Sequence, residues 1–182
     1  MSTPTGPQQL TGFLPMPPLQ SGLALEDAVK IGRAAALGYR KWLRAIPDHR
    51  LHQPVQEGKW SPAEHADHVI KAAEAFAAQI EAHLAGQPVA EAPLAYRWPD
   101  GRIVAPDFIL PSTGRTRQDL EAGVSTVHAR LEAAVRAAVE AGRGDTPCVA
   151  TGIFAPFTPI QAMQMNAGHL QHHMPQPAGP AA

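Results

Sequence analysis

The stretch Trp60-Ser-Pro-Ala-Glu-His-Ala-Asp-His68-Val-Ile-Lys-Ala-Ala-Glu-Ala-Phe-Ala-Ala-Gln-Ile80 reads as the start and body of one helix. Ser61 is a cap residue and Glu64 stands three positions later, so hydroxyl and carboxylate can satisfy the first free amides reciprocally. Pro62 occupies the first helical position, where its missing N–H costs nothing. Val69, Ala72, Ala73, Phe76, Ile80 and Leu84 then recur at steps of three and four, and the stripe stops at Gly86 and Pro88.

The same pattern recurs on both sides. Leu25, Ala28, Val29, Gly32, Ala36, Tyr39, Leu43 and Ile46 form a first amphipathic stripe that ends before Pro47. Leu120, Val124, Val127, Leu131, Ala134 and Ala138 form a third stripe, from about residue 117 to 141, behind Thr116 and Asp119. Aspartate is short for that third-position role, which makes this helix start the weakest. Ile160, Met163, Ala167, Leu170 and Met174 form a fourth, behind Thr158, Pro159 and Gln161. The alternation is nowhere long enough for a sheet, although Leu94 to Ile103 allows a short hairpin around Asp100-Gly101. Four helices with a long connection from Gly86 to Arg115 predict an all-α fold, a helix bundle in which that connection is a cover or lid.

Several function classes are disfavoured. Fifteen basic and sixteen acidic residues nearly cancel and form no block, which predicts no nucleic-acid partner. No apolar run approaches the roughly 20 residues that cross a bilayer, and Cys148 is the one cysteine, so a soluble cytoplasmic protein without disulfides is expected. Five prolines among residues 1 to 20 predict an extended or mobile arm over residues 1–22. The bundle is expected over 23–176, with a short tail at 177–182.

The chemistry is carried by histidines. His169 and His173 are four apart and share a helix face, and a third histidine from another helix would give the three-ligand, open-sided pattern of catalytic metal sites. Each stands one residue, about 100° of rotation, before a stripe position, and His68 stands in the same relation to Val69. His65, four before Val69, points more directly at the core, so spacing leaves it a rival to His68. Glu64 is explained by the capping box, though it could also orient His68. Asp67 is expected on the solvated face and Cys148 as a small buried residue. Trp60 and Phe157 are expected to pack, and His172 to lie at the surface or behind His173. His49, His52, His83 and His128 belong to no paired spacing and are read as solvated or hydrogen-bonded side chains.

Trp60-Ser-Pro-Ala-Glu64-(3)-His68-Val and Phe157-Thr-Pro-Ile-Gln161-(7)-His169-Leu-Gln-His-His173 together resemble the DinB-like, or YfiT-like, family of metal-dependent proteins. The resemblance extends over about residues 23–176. It implies an antiparallel four-helix bundle in up-down-down-up order, with a divalent metal, zinc or nickel, held by His68, His169 and His173. It also implies a homodimer and, in the better characterised branches, thiol-dependent transferases or isomerases using mycothiol, bacillithiol or glutathione. The function expected is a metal-dependent thiol S-transferase acting on a small electrophile. A metal-dependent hydrolase and a non-catalytic metal-binding stress-response protein are the alternatives. In this chain Pro175 and Pro177 follow His173 almost at once, which puts the last histidine at its helix end.

Overall fold

The computed structural model describes residues 6–17, 19–20, 22–54 and 56–174; the Pro-rich stretch from Pro175, with Pro4 and Pro18, lies outside them. Four main helices are present: α1 (Leu25–Ala45), α3 (Pro62–Leu84), α4 (Arg117–Glu140) and α5 (Pro159–His172), with a one-turn α2 (Asp48–Leu51) after the first. All three expected capping boxes form. The amide of the cap residue reaches its third-position partner at 2.7 Å for Ser61 and 2.9 Å for Thr158, but at 3.2 Å for Thr116, as the shorter aspartate predicts.

Contacts along the helices give their directions. Arg44 pairs with Glu121 and Arg33 with Glu132, so α1 and α4 are antiparallel. Gly123 packs on Ile70 and Arg130 pairs with Glu81, so α3 and α4 run parallel. Gly32 packs on Met163 and Tyr39 donates to the His173 carbonyl, so α1 and α5 are parallel. The order is up-down-down-up. Because α3 and α4 point the same way, the chain must travel back along a helix of about 35 Å before α4 can begin, which is why residues 85–116 are long.

The core has two centres. Tyr39, Leu43, Val69, Ile70, Leu120, Val124 and Leu170 fill the end where α3 starts and α5 stops. Phe76, Ile80, Leu131, Val135, Phe157 and Met163 fill the other. Gly32 allows the helices to close up, since a Cβ there would come within 2.6 Å of the Met163 sulfur and 2.9 Å of His128.

A small sheet supplements the bundle. The expected hairpin forms as β2 (Tyr96–Arg97) and β3 (Ile103–Val104), and β1 (Gln8–Gln9) from the amino-terminal arm pairs antiparallel with β2. The described part of the arm thus has paired segments, and Leu14 also donates from its amide to the Ile153 carbonyl. Strands of two residues are too short to leave an alternating pattern in the sequence. Among the described residues no helix is long and apolar enough to cross a membrane.

Candidate metal centre

His68 lies in the first half of α3, and His169 and His173 lie at the end of α5. The antiparallel packing of these two helices brings the three together. Each offers a ring nitrogen, and these nitrogens all lie within 4.8 Å of one another. His68 Nδ1 donates to the Ile109 carbonyl at 2.9 Å, which fixes its tautomer and leaves Nε2 as a lone pair. That Nε2 is 3.1 Å from His169 Nε2. Two nitrogens at about 2.0–2.1 Å from a tetrahedral zinc stand about 3.3 Å apart, so a few tenths of an ångström separate this geometry from a liganding one.

His65, which spacing left as a rival, is not in the converging set. Its Nδ1 lies 3.0 Å from His173 Nδ1, within hydrogen-bond distance of one of the converging rings. Trp60 covers the group, with its ring 4.8 Å from His68 and 5.5 Å from His65. Glu64 is spent on the cap: its carboxylate accepts from the Ser61 amide at 2.7 Å. His172 is exposed, beside His173.

Burial makes all four rings poor bases. It lowers the pKa of His169 to about 3, helped by the neighbouring His68, and that of His65 to about 4. The same cause lowers those of His68 and His173. Neutral rings at pH 7 carry the lone pairs that a cation requires. The donor set therefore fits a metal ion.

Asp67 corrects an expectation. It was assigned to the solvated face, yet it is fully buried, because the 107–115 part of the long connection covers that face. Its carboxylate accepts from the Ser112 amide at 2.6 Å and the Ser112 hydroxyl at 2.8 Å, and pairs with Lys71 at 3.0 Å and Arg115 at 3.1 Å. Burial alone would raise its pKa, but the Ser112 and Lys71 hydrogen bonds and the Arg115 charge outweigh it and hold the group below the carboxylate range. Lys71 also donates to the Leu110 carbonyl at 2.7 Å. This network pins the segment whose Ile109 carbonyl orients His68. Nothing in the helix periodicity signals it; the clue available was Ser112 and Arg115 at the end of an otherwise weakly patterned connection.

The remaining candidates are settled by burial. Phe157 is fully buried in the far core. Cys148 is buried and its thiol pKa is raised to about 11, so it is no nucleophile at neutral pH. His128 is buried and neither ring nitrogen has a hydrogen-bond partner among the described residues, contrary to its expected solvated or bonded state. A cavity of about 110 Å³ lies between α3, α5, residues 106–109 and the 150–154 loop, with His169 on its wall. A larger and more open depression of about 510 Å³, between Gln8–Thr11 and Arg97–Gly101, contains no histidine.

The sequence profile of the DinB superfamily matches residues 35–176, which include all three converging histidines. No curated protein matches the chain by sequence. Among solved structures, a mycothiol-dependent maleylpyruvate isomerase is similar, with a TM-score of 0.61 and 18% identity over 84% of this chain and 60% of that one. A histidine-to-alanine variant of a mycothiol-dependent maleylpyruvate isomerase gives a TM-score of 0.64 at the same identity and coverage. At this identity the likeness shows the fold, and the chain spans 60% of the length of the structures it matches.

Proposed function

This chain belongs to the DinB superfamily, and on that premise we propose that it is a divalent-metal-dependent S-transferase joining a low-molecular-weight thiol to a small electrophile. The observation that carries the reading is the convergence of His68, His169 and His173, from two helices, beside a mainly apolar cavity. A zinc or nickel ion held by three neutral histidines would keep its positive charge and an open position, where a thiol loses its proton more readily. His68 is held in register by Ile109 and His173 by His65. Trp60 packs against His68 and His65, and the pinned 107–115 segment covers the outer side of His68. The fold shared with a mycothiol-dependent isomerase supports a thiol as cosubstrate.

Hydrolysis is less well served, because the two carboxylates nearest His68 in sequence are committed elsewhere, Asp67 to Ser112, Lys71 and Arg115 and Glu64 to the cap of α3. Elemental analysis of untagged protein beside a triple His68→Ala, His169→Ala, His173→Ala variant tests the site: about one metal per chain is expected, lost in the variant. Metal-loaded protein is then assayed with a chloro-substituted fluorogenic electrophile and mycothiol, bacillithiol or glutathione. Turnover that requires both metal and thiol is expected. Turnover without thiol would favour a hydrolase, and a full metal complement without any turnover would leave a metal-binding protein with no transferase activity.

A further inference from the structure

Of the large hydrophobic side chains that stand exposed among the described residues, Ile31 and Leu37 are the two on a bundle helix; the others lie on the amino-terminal arm or the 85–116 connection. Both belong to α1, which buries Val29, Gly32, Ala36, Tyr39 and Leu43 against the core. At 100° per residue Ala34 stands opposite Leu43, and Asp27, Lys30, Ile31, Leu37, Gly38 and Lys41 all fall within about 60° of Ala34. Gly38 is half-buried and the rest of this outward face is exposed.

The charges of that face are uncommitted. On the flank of α1, Glu26 pairs with Arg136, Arg33 with Glu132 and Arg44 with Glu121, all on α4. Asp27, Lys30 and Lys41 make no ion pair among the described residues. Gly38 is also unexplained within the chain. Glycine weakens a helix interior, and whereas Met163 crowds Gly32, a Cβ at Gly38 would meet nothing within 4 Å.

The face is complementary to itself. Positions 27 and 41 lie seven residues either side of Ala34 and carry opposite charges; positions 31 and 37 lie three either side and are both apolar. Two copies of α1 laid antiparallel about a two-fold axis at Ala34 therefore bring Asp27 of each level with the partner's Lys41. The same operation sets Ile31 beside the partner's Gly38, on one side of the seam, so that the isoleucine fills the room the glycine leaves. On the other side Leu37 meets the aliphatic stem of the partner's Lys30. A parallel pairing would instead set Asp27 against Asp27 and Lys41 against Lys41.

We propose that the outward face of α1 binds a second copy of this chain, antiparallel and two-fold, centred on Ala34. The resemblance that implies a homodimer names no surface for it; the order of charged and apolar residues along α1 does. No residue of α1 lines the cavity beside His169, so the pairing requires neither the metal nor its site. A single helix pair about 30 Å long makes a small interface, and a dissociation constant on the order of 10 µM is expected.

Sedimentation equilibrium of the full chain over a concentration series tests the pairing. Asp27→Lys or Lys41→Asp alone sets like charges together at two places and should weaken the dimer about tenfold. The double variant Asp27→Lys/Lys41→Asp should restore association. Only contact between copies can give that rescue, because the two positions lie about 21 Å apart along one helix. Gly38→Gln should weaken the dimer by a similar factor while raising the thermal midpoint of dilute protein, since it replaces a mid-helix glycine in open space; it carries the test if a charge variant does not fold. A chain still monomeric at about 1 mM overturns the proposal. A dimer that none of these variants weakens uses another face and overturns it too, as do single charge variants that weaken association without rescue by the double.

Discussion

Two sets of buried histidines can be compared, one at the end of the bundle and one in its middle. His68, His169 and His173 have converging nitrogens, and two of the three have a hydrogen-bond partner at Nδ1. His128, on α4, is about as buried as His68, yet among the described residues both its nitrogens are unpartnered, and it shares a gap of only about 10 Å³ with Asn166, whose Oδ1 is also unpartnered there. Burial lowers the pKa of His128 as it does those of the cluster. Burial and weak basicity therefore do not distinguish a site from a costly core residue. What distinguishes them is whether lone pairs from separate elements meet at one point and whether their far sides are supported.

The largest expected effect tests that distinction. His169→Ala should take metal content from about one per chain to background, while His128→Ala leaves it unchanged, as read by elemental analysis; equal loss in both would erase the contrast. In denaturant unfolding, zinc at a hundredfold excess over its Kd should stabilise the unsubstituted protein and His128→Leu by about 2.7 kcal/mol, and His169→Ala by nearly nothing. Asp67→Ala should destabilise the fold by about 2 kcal/mol, because a buried carboxylate that organises Ser112, Lys71 and Arg115 is lost. It should also expose the 107–115 segment to protease, and unchanged proteolysis would show that the segment is held by something else.

The smallest effect belongs to the core histidine. His128→Leu removes an unpartnered buried ring and should stabilise by about 1 kcal/mol at pH 7. The pKa of His128 in the folded state lies below its unfolded value of 6.5. The unfolded chain therefore binds the proton more readily, and native stability is fully present above pH 6.5 and lost as the pH falls toward the folded value. The advantage of His128→Leu should widen between pH 7 and pH 5, with metal-free protein used for both. A constant difference would mean that the ring is solvated in the native state.

Much of this was legible along the chain because it is local. Ser61 with Glu64 and Thr158 with Gln161 determine helix starts within four residues, and even the longer reach of Asp119 followed from side-chain length. The apolar stripes identified the core because each is a property of one helix. The choice between His65 and His68 was not local. The two lie three residues apart and about 60° apart on the helix, so both face inward, and the position of α5 decides which nitrogen meets His169. Asp67 was misread for the same reason, since its face is polar by periodicity and is covered only by the returning connection.

The sequence by itself determined the four helices, their caps, their apolar faces and the two histidine-bearing segments, because those depend on residues within a turn or two of one another. Only the tertiary structure decided that His68 rather than His65 joins His169 and His173, that Asp67 locks the connection over them, and that the far nitrogen of His169 and both nitrogens of His128 are buried without partners among the described residues. Each of these depends on which groups come within about 3 Å across separate elements, and hydrogen bonding and desolvation change steeply over that distance while helical periodicity is blind to it.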